Sequence, residues 1–81
     1  VAWLNCGGNP MTLDDWHNRE RKALQVMLDG RYLFLINAKT EAQSFYLPNG
    51  RWKKIADIGN RVIQQCDVSG VAFEVLEHME D

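Results

Sequence analysis

Apolar residues near the middle of the chain recur at two-residue steps: Leu24, Val26 and Leu28 lead to Asp29-Gly30, and a second apolar run occupies residues 32–36. An Asp-Gly pair between two such runs signals a tight hairpin, because both central positions of a type I′ turn require positive φ. The pattern therefore predicts strand, turn and strand over residues 22–38. In the second strand Tyr32, Phe34 and Ile36 alternate with Leu33 and Leu35, so both faces are apolar. Such a strand is expected to be central and covered on both sides. After a polar break at residues 39–42, residues 43–47 read as a strand and Pro48-Asn49-Gly50 as a turn. Trp52, Ile55 and Ile58 suggest a less regular strand closed by Gly59-Asn60, and residues 62–68 a further one. Ser69-Gly70 then reads as a turn, with Val71, Phe73 and Val75 on the inner face of the last strand. Turns about every ten residues between short apolar runs describe an all-β fold, an antiparallel β-sandwich.

The first residues follow a different pattern. Asn5, Gly7, Gly8, Asn9 and Pro10 punctuate any regular element and mark a loop. Thr12 and Asp15 have the spacing at which a hydroxyl and a carboxylate satisfy the free donors of a helical turn, so a short N-terminal helix is expected from Leu13. Its extent is ambiguous. Leu13, Trp16, Glu20, Ala23, Leu24 and Met27 include enough apolar positions to sketch a helical face, while Leu24, Val26 and Leu28 satisfy a strand. The expected organisation is a lead-in segment, residues 1–18, and a sandwich domain, residues 19–81.

The chain has 81 residues, enough for one small domain. Ordering them costs on the order of 120 kcal/mol, which a small core offsets narrowly, so support from a neighbouring domain is expected. A hydrophobic share of 46% with 25% charged residues is the balance of a globular chain and argues against disorder. A net charge of −2 argues against nucleic acid as a partner, because no field exists to displace phosphate counterions. Arg51, Lys53 and Lys54 form a compact basic cluster, read as a solvated strand edge. The longest apolar run is far short of the ~20 residues of a membrane-spanning helix. Cys6 and Cys66 lack the paired spacing of a redox or zinc motif; free, partly buried thiols are favoured over a single disulfide. The chain opens on Val1 without a charged-then-apolar leader, and a piece of a longer polypeptide is expected.

Reactive chemistry is hard to place. Asp14 and Asp15 complement the start of a helix, and Glu74, Glu77, Glu80 and Asp81 solubilise the tail. His17 and His78 would need distant segments to converge before they held a metal. Ser44 and Ser69 lack a nucleophile elbow, and Gly7-Gly8 lacks the remainder of a phosphate loop. Three tryptophans remain. Trp3, Trp16 and Trp52 suit either a platform for sugar rings or the filling of a core and a seam to another domain, with packing favoured. Trp52, flanked by Arg51 and Lys53, is the one of the three expected to be exposed and is the candidate for sugar contact.

The string Trp3-Leu4-Asn5, Gly8, Pro10-Met11-Thr12 and Asp15-Trp16 resembles the segment leading into the C-terminal domain of isoamylase-type glycogen debranching enzymes, in the alpha-amylase superfamily. The likeness continues through Arg19-Glu20-Arg21, Ala23 and Leu28-Asp29-Gly30. It is looser at Leu33, Leu35, Asn37-Ala38, Phe45, Leu47-Pro48 and Trp52, and over residues 59–81 it is one of type only. Cys6-Gly7 departs from the family in a loop. The resemblance implies a parent that hydrolyses α-1,6 branch linkages of glycogen with an Asp nucleophile, a Glu acid and a second Asp on a preceding (β/α)8 barrel. No acidic residue here matches those motifs. The resemblance therefore implies a non-catalytic domain with no cofactor, in the cytoplasm, whose partner is the barrel of the same chain, α-glucan being a second candidate. Trp3, Met11 and Trp16 are the expected seam residues. The alternative is a carbohydrate-binding module that grips α-glucan through exposed tryptophans.

Overall fold

The computed structural model describes residues 1–17, 22–56, 58–59 and 61–79. Among these residues seven strands and one short helix follow in the order β1 (Ala2–Leu4), α1 (Leu13–His17), β2 (Ala23–Leu28), β3 (Tyr32–Asn37), β4 (Gln43–Tyr46), β5 (Trp52–Lys54), β6 (Gln65–Val68) and β7 (Ala72–His78). Five strands form one antiparallel sheet in the order β1-β2-β3-β7-β5, and β4 and β6 pair as a second. The fold is the expected all-β sandwich.

The β2–β3 hairpin forms as its sequence dictates. Asp29 and Gly30 take φ of 54° and 65°, and Arg31 N–H donates to the Leu28 carbonyl at 2.9 Å. Helix α1 begins at a reciprocal cap, in which Thr12 N–H donates to the Asp15 carboxylate at 3.0 Å and Asp15 N–H to the Thr12 hydroxyl at 3.1 Å. The crossover from helix to strand, with Arg19-Glu20-Arg21, lies outside the described residues.

One element has no counterpart in the sequence reading. Residues 2–4 of the lead-in segment join the large sheet as β1, with Leu4 opposite Gln25. The loop then doubles back: Leu4 bridges Pro10, and Met11 N–H donates to the Trp3 carbonyl at 2.9 Å. This return covers the outer side of an edge strand, where unpaired backbone groups invite unwanted pairing.

The core lies between the sheets. Leu33, Leu35, Leu76 and Trp52 from the large sheet meet Phe45, Cys66 and Val68 from the small one. Two buried amides pin the loops to this core. Gln25 Nε2 donates to the carbonyls of Asn5 and Tyr46 at 3.0 and 2.8 Å. Asn37 Nδ2 serves the carbonyls of Glu41, Val68 and Ser69, and its Oδ1 accepts from Lys39 N–H.

Three sequence expectations are corrected. The strand begun by Trp52 ends at Lys54; Ile55 and Ile58 lie outside it, and Ile58 is almost fully exposed. The strand expected over residues 62–68 is regular only from Gln65, with Ile63 bridging Trp52 alone. The last turn falls at Gly70-Val71, where Val71 takes a φ of 50°, one residue later than expected. A one-residue shift inverts a strand's faces. Leu76 consequently enters the core, whereas Phe73, expected inside, is 68% exposed on the opposite face.

Candidate domain interface

Opposite residues of an antiparallel ladder share a face, so the registers define what the large sheet presents away from the core. One row runs across four strands: Trp3, Val26, Phe34 and Val75. A second row holds Leu24, Ile36 and Phe73, and a third Leu28 and Tyr32 followed by Glu77 and Lys53. The face is apolar through two full rows and becomes charged at one end. Among the described residues nothing from the small sheet covers it, since β4 and β6 pack on the other side. Strand β3 is central, as expected, but one of its two apolar faces stays open: Ile36 and Tyr32 are exposed and Phe34 is half-buried.

Helix α1 extends this face. The capped turn at Thr12 returns the chain towards β1 and places the Trp16 ring against that of Trp3, with centroids 5.7 Å apart in an edge-on arrangement. Both indoles remain about half exposed. The expected seam residues thus converge: Trp3 and Trp16 touch through their rings, and Met11 is bonded to the Trp3 backbone. Asp15 is occupied by the cap and by Asn5 Nδ2 at 3.4 Å, a structural role for this acid.

Trp52 does not join them. The expectation that it is exposed is corrected: it is 1% accessible, on the core side of β5, and offers no ring face to a sugar. Its Nε1 donates to the Pro48 carbonyl at 3.1 Å, and its ring meets His78 edge-on at 5.2 Å. Lys53 faces the opposite way and half-buried Lys54 lies near Glu74 at 3.8 Å, so the basic cluster sits on an edge strand as expected.

The two cysteines are free thiols, Cys66 buried and Cys6 partly so. Burial pushes the Cys66 thiol above its ordinary value, Lys54 pulls it down, and Glu74 and Asp67 add to the rise. Among the described residues no three His, Cys, Asp or Glu side chains are grouped to hold a metal, and no helix is long and apolar enough to cross a membrane.

Sequence reasoning found the tryptophan pair but missed Phe73 as part of this face. The available signal was the two-sided apolarity of β3.

Comparison with known proteins identifies a family for the chain. A family model described as the glycogen debranching enzyme C-terminal domain matches residues 1–70. A glycogen operon protein GlgX homolog of Haemophilus influenzae is 50% identical over 78 residues, 94% of this chain and 12% of the relative. A glycogen debranching enzyme of Pectobacterium atrosepticum is 45% identical over 53 residues, 65% of this chain and 8% of the relative. One of Cronobacter sakazakii is 38% identical over 55 residues, 68% of this chain and 8% of the relative. The chain therefore spans only about a tenth of the length of the curated relatives it matches. The chain belongs to the glycogen debranching enzyme C-terminal domain family.

Proposed function

We propose that this chain is a non-catalytic domain of a cytoplasmic glycogen debranching enzyme, and that its open apolar face packs on the catalytic (β/α)8 barrel of the same polypeptide. The observation that carries the reading is the continuous apolar row of Trp3, Val26, Phe34 and Val75 on the uncovered side of the large sheet. Contiguous exposed apolar surface of this kind marks an interaction site in soluble proteins. A partner within the same polypeptide is the natural cover for a domain whose relatives are many times its length. The parent hydrolyses α-1,6 branch linkages, and this domain contributes stability. Trp3, Met11 and Trp16 form one margin of the seam, where an indole combines a large apolar ring with one donor.

Replacing Trp16 by Ala in the full-length enzyme tests this. The expected outcome is a lower melting temperature with branch-point selectivity unchanged. Unchanged stability together with weakened glycogen binding would refute the packing role and put these indoles on sugar instead.

A further inference from the structure

The face of the small sheet opposite the docking surface has a different chemistry. Its outward residues are the cross-strand pairs Ser44 with Asp67 and Tyr46 with Gln65. Tyr46 is 56% exposed, although its backbone is held firmly: its N–H donates to the Cys6 carbonyl at 2.7 Å, and its carbonyl accepts Gln25 Nε2 at 2.8 Å. Tyr46 lines two open clefts. One, of about 440 Å³, includes Asn9, Gln43 and Ser44 in its wall. The other, of about 430 Å³, includes Asn49, Gln64 and Gln65. Asn9, Asn49, Gln64 and Gln65 are all exposed.

Amides that donate and accept side by side match the neighbouring hydroxyls of a sugar, and a solvent-facing tyrosine ring matches the apolar C–H side of a pyranose. Lys39 Nζ is engaged by Gln43 Oε1 at 3.1 Å, and Asp67 accepts from the Ser44 hydroxyl at 2.6 Å. Lys54 and Arg61 line a further cleft, which Gln65 and Asp67 also border.

We infer that Tyr46 and the amides on either side of it form a surface site for a neutral α-glucan chain. The choice of glucan among neutral carbohydrates rests on the proposed function, while the site itself rests on this face. The arrangement gives the domain two independent surfaces, one that docks and one that tethers substrate.

Electrophoresis of the chain through native gels with and without glycogen, joined to amide and indole resonance titration with maltoheptaose, tests the site. Glycogen is expected to retard the chain, and maltoheptaose to shift the resonances of Tyr46, Gln64 and Gln65. Tyr46→Ala should bind roughly tenfold more weakly, the loss of one stacking contact, while Tyr46→Phe, which keeps the ring, should bind as the parent does. Trp16→Ala should leave retardation unchanged, which separates this site from the docking face. The inference is overturned if folded Tyr46→Ala migrates like the parent in glycogen, if Tyr46→Phe loses binding, or if maltoheptaose shifts the Trp3 and Trp16 indoles instead.

Discussion

Phe73 offers the sharpest measure of the docking face, because most of its ring is open to solvent before any partner arrives. An aromatic side chain presents roughly 200 Å², and Phe73 is 68% accessible, so about 140 Å² remains to be covered at roughly 25 cal/mol per Å². Allowing for the Cβ that alanine keeps, Phe73→Ala should remove about 3 kcal/mol of docking free energy, close to a hundredfold in Kd. The part of the ring already buried is smaller, so the same substitution should cost the isolated chain no more than about 1.5 kcal/mol. Calorimetric titration of this chain against the polypeptide that lacks it measures the first quantity, and urea unfolding of the chain measures the second. Tyr46→Ala, on the opposite face, is the control and should leave this Kd unchanged. A Phe73→Ala Kd within threefold of the parent, or no weaker than that of the control, would refute the assignment of this face as the interface.

Two further predictions address the framework. A methyl group at Gly70 would meet the Thr40 carbonyl carbon at 2.6 Å and its oxygen closer still, whereas one at Gly30 meets open space; Gly70→Ala should therefore cost about 3 kcal/mol in urea unfolding, against about 1 for the positive φ at Gly30→Ala. An equal or smaller loss at Gly70 would show that the two loops do not pack as described. Burial raises the Cys66 thiol above its ordinary value of 9.0, so the unfolded chain gives up this proton first, and the stability it contributes is full below pH 9.0 and lost as pH rises through the folded value. Cys66→Ala should therefore lose part of the alkaline decline in unfolding free energy, and an identical decline in parent and variant would contradict this.

Much of the fold was legible because local chemistry and tertiary packing agree. Asp29-Gly30 needs no distant partner to turn, and Thr12 and Asp15 cap each other within one helical turn. The failures have a common physical origin in strand register. Strand β1 has three residues, too few for any periodicity to appear. At the other end, the side chains of Val71, Phe73 and Val75 alternate correctly, but periodicity fixes only which residues share a face. Which face is the core depends on the turn, and Val71 supplies the second turn position at positive φ despite its branched side chain. Trp52 teaches the same lesson. Charged neighbours on both sides suggested exposure, yet in a strand the residues before and after point away from the one between them. Arg51 and Lys53 therefore signal an inward Trp52 once the segment is known to be extended. The docking face was half legible for this reason: Trp3 and Trp16 stand out by identity, whereas Phe73 depends on register.

The distribution of apolar residues between the two sides of the large sheet bears most directly on function. The enclosed side is compromised as a hydrophobic layer, since it contains Gln25 and Asn37 at 0% and 1% exposure. Buried amides cost free energy unless bonded, and Gln25 Oε1 has no partner among the described residues. Their donors instead fix loops against the small sheet, so that side is shaped as much for specificity as for burial. The open side bears Leu24, Val26, Phe34, Ile36, Phe73 and Val75 in two adjacent rows. A sheet whose second side stays in water alternates apolar with polar residues, and this one does not. A strand pattern written for two covers, where the described residues supply only one, is the physical ground for the proposal that another part of a longer polypeptide supplies the second. It also predicts where tolerance ends: polar substitutions should be neutral at Glu77 and Lys53, where the face turns charged, and damaging in the central row.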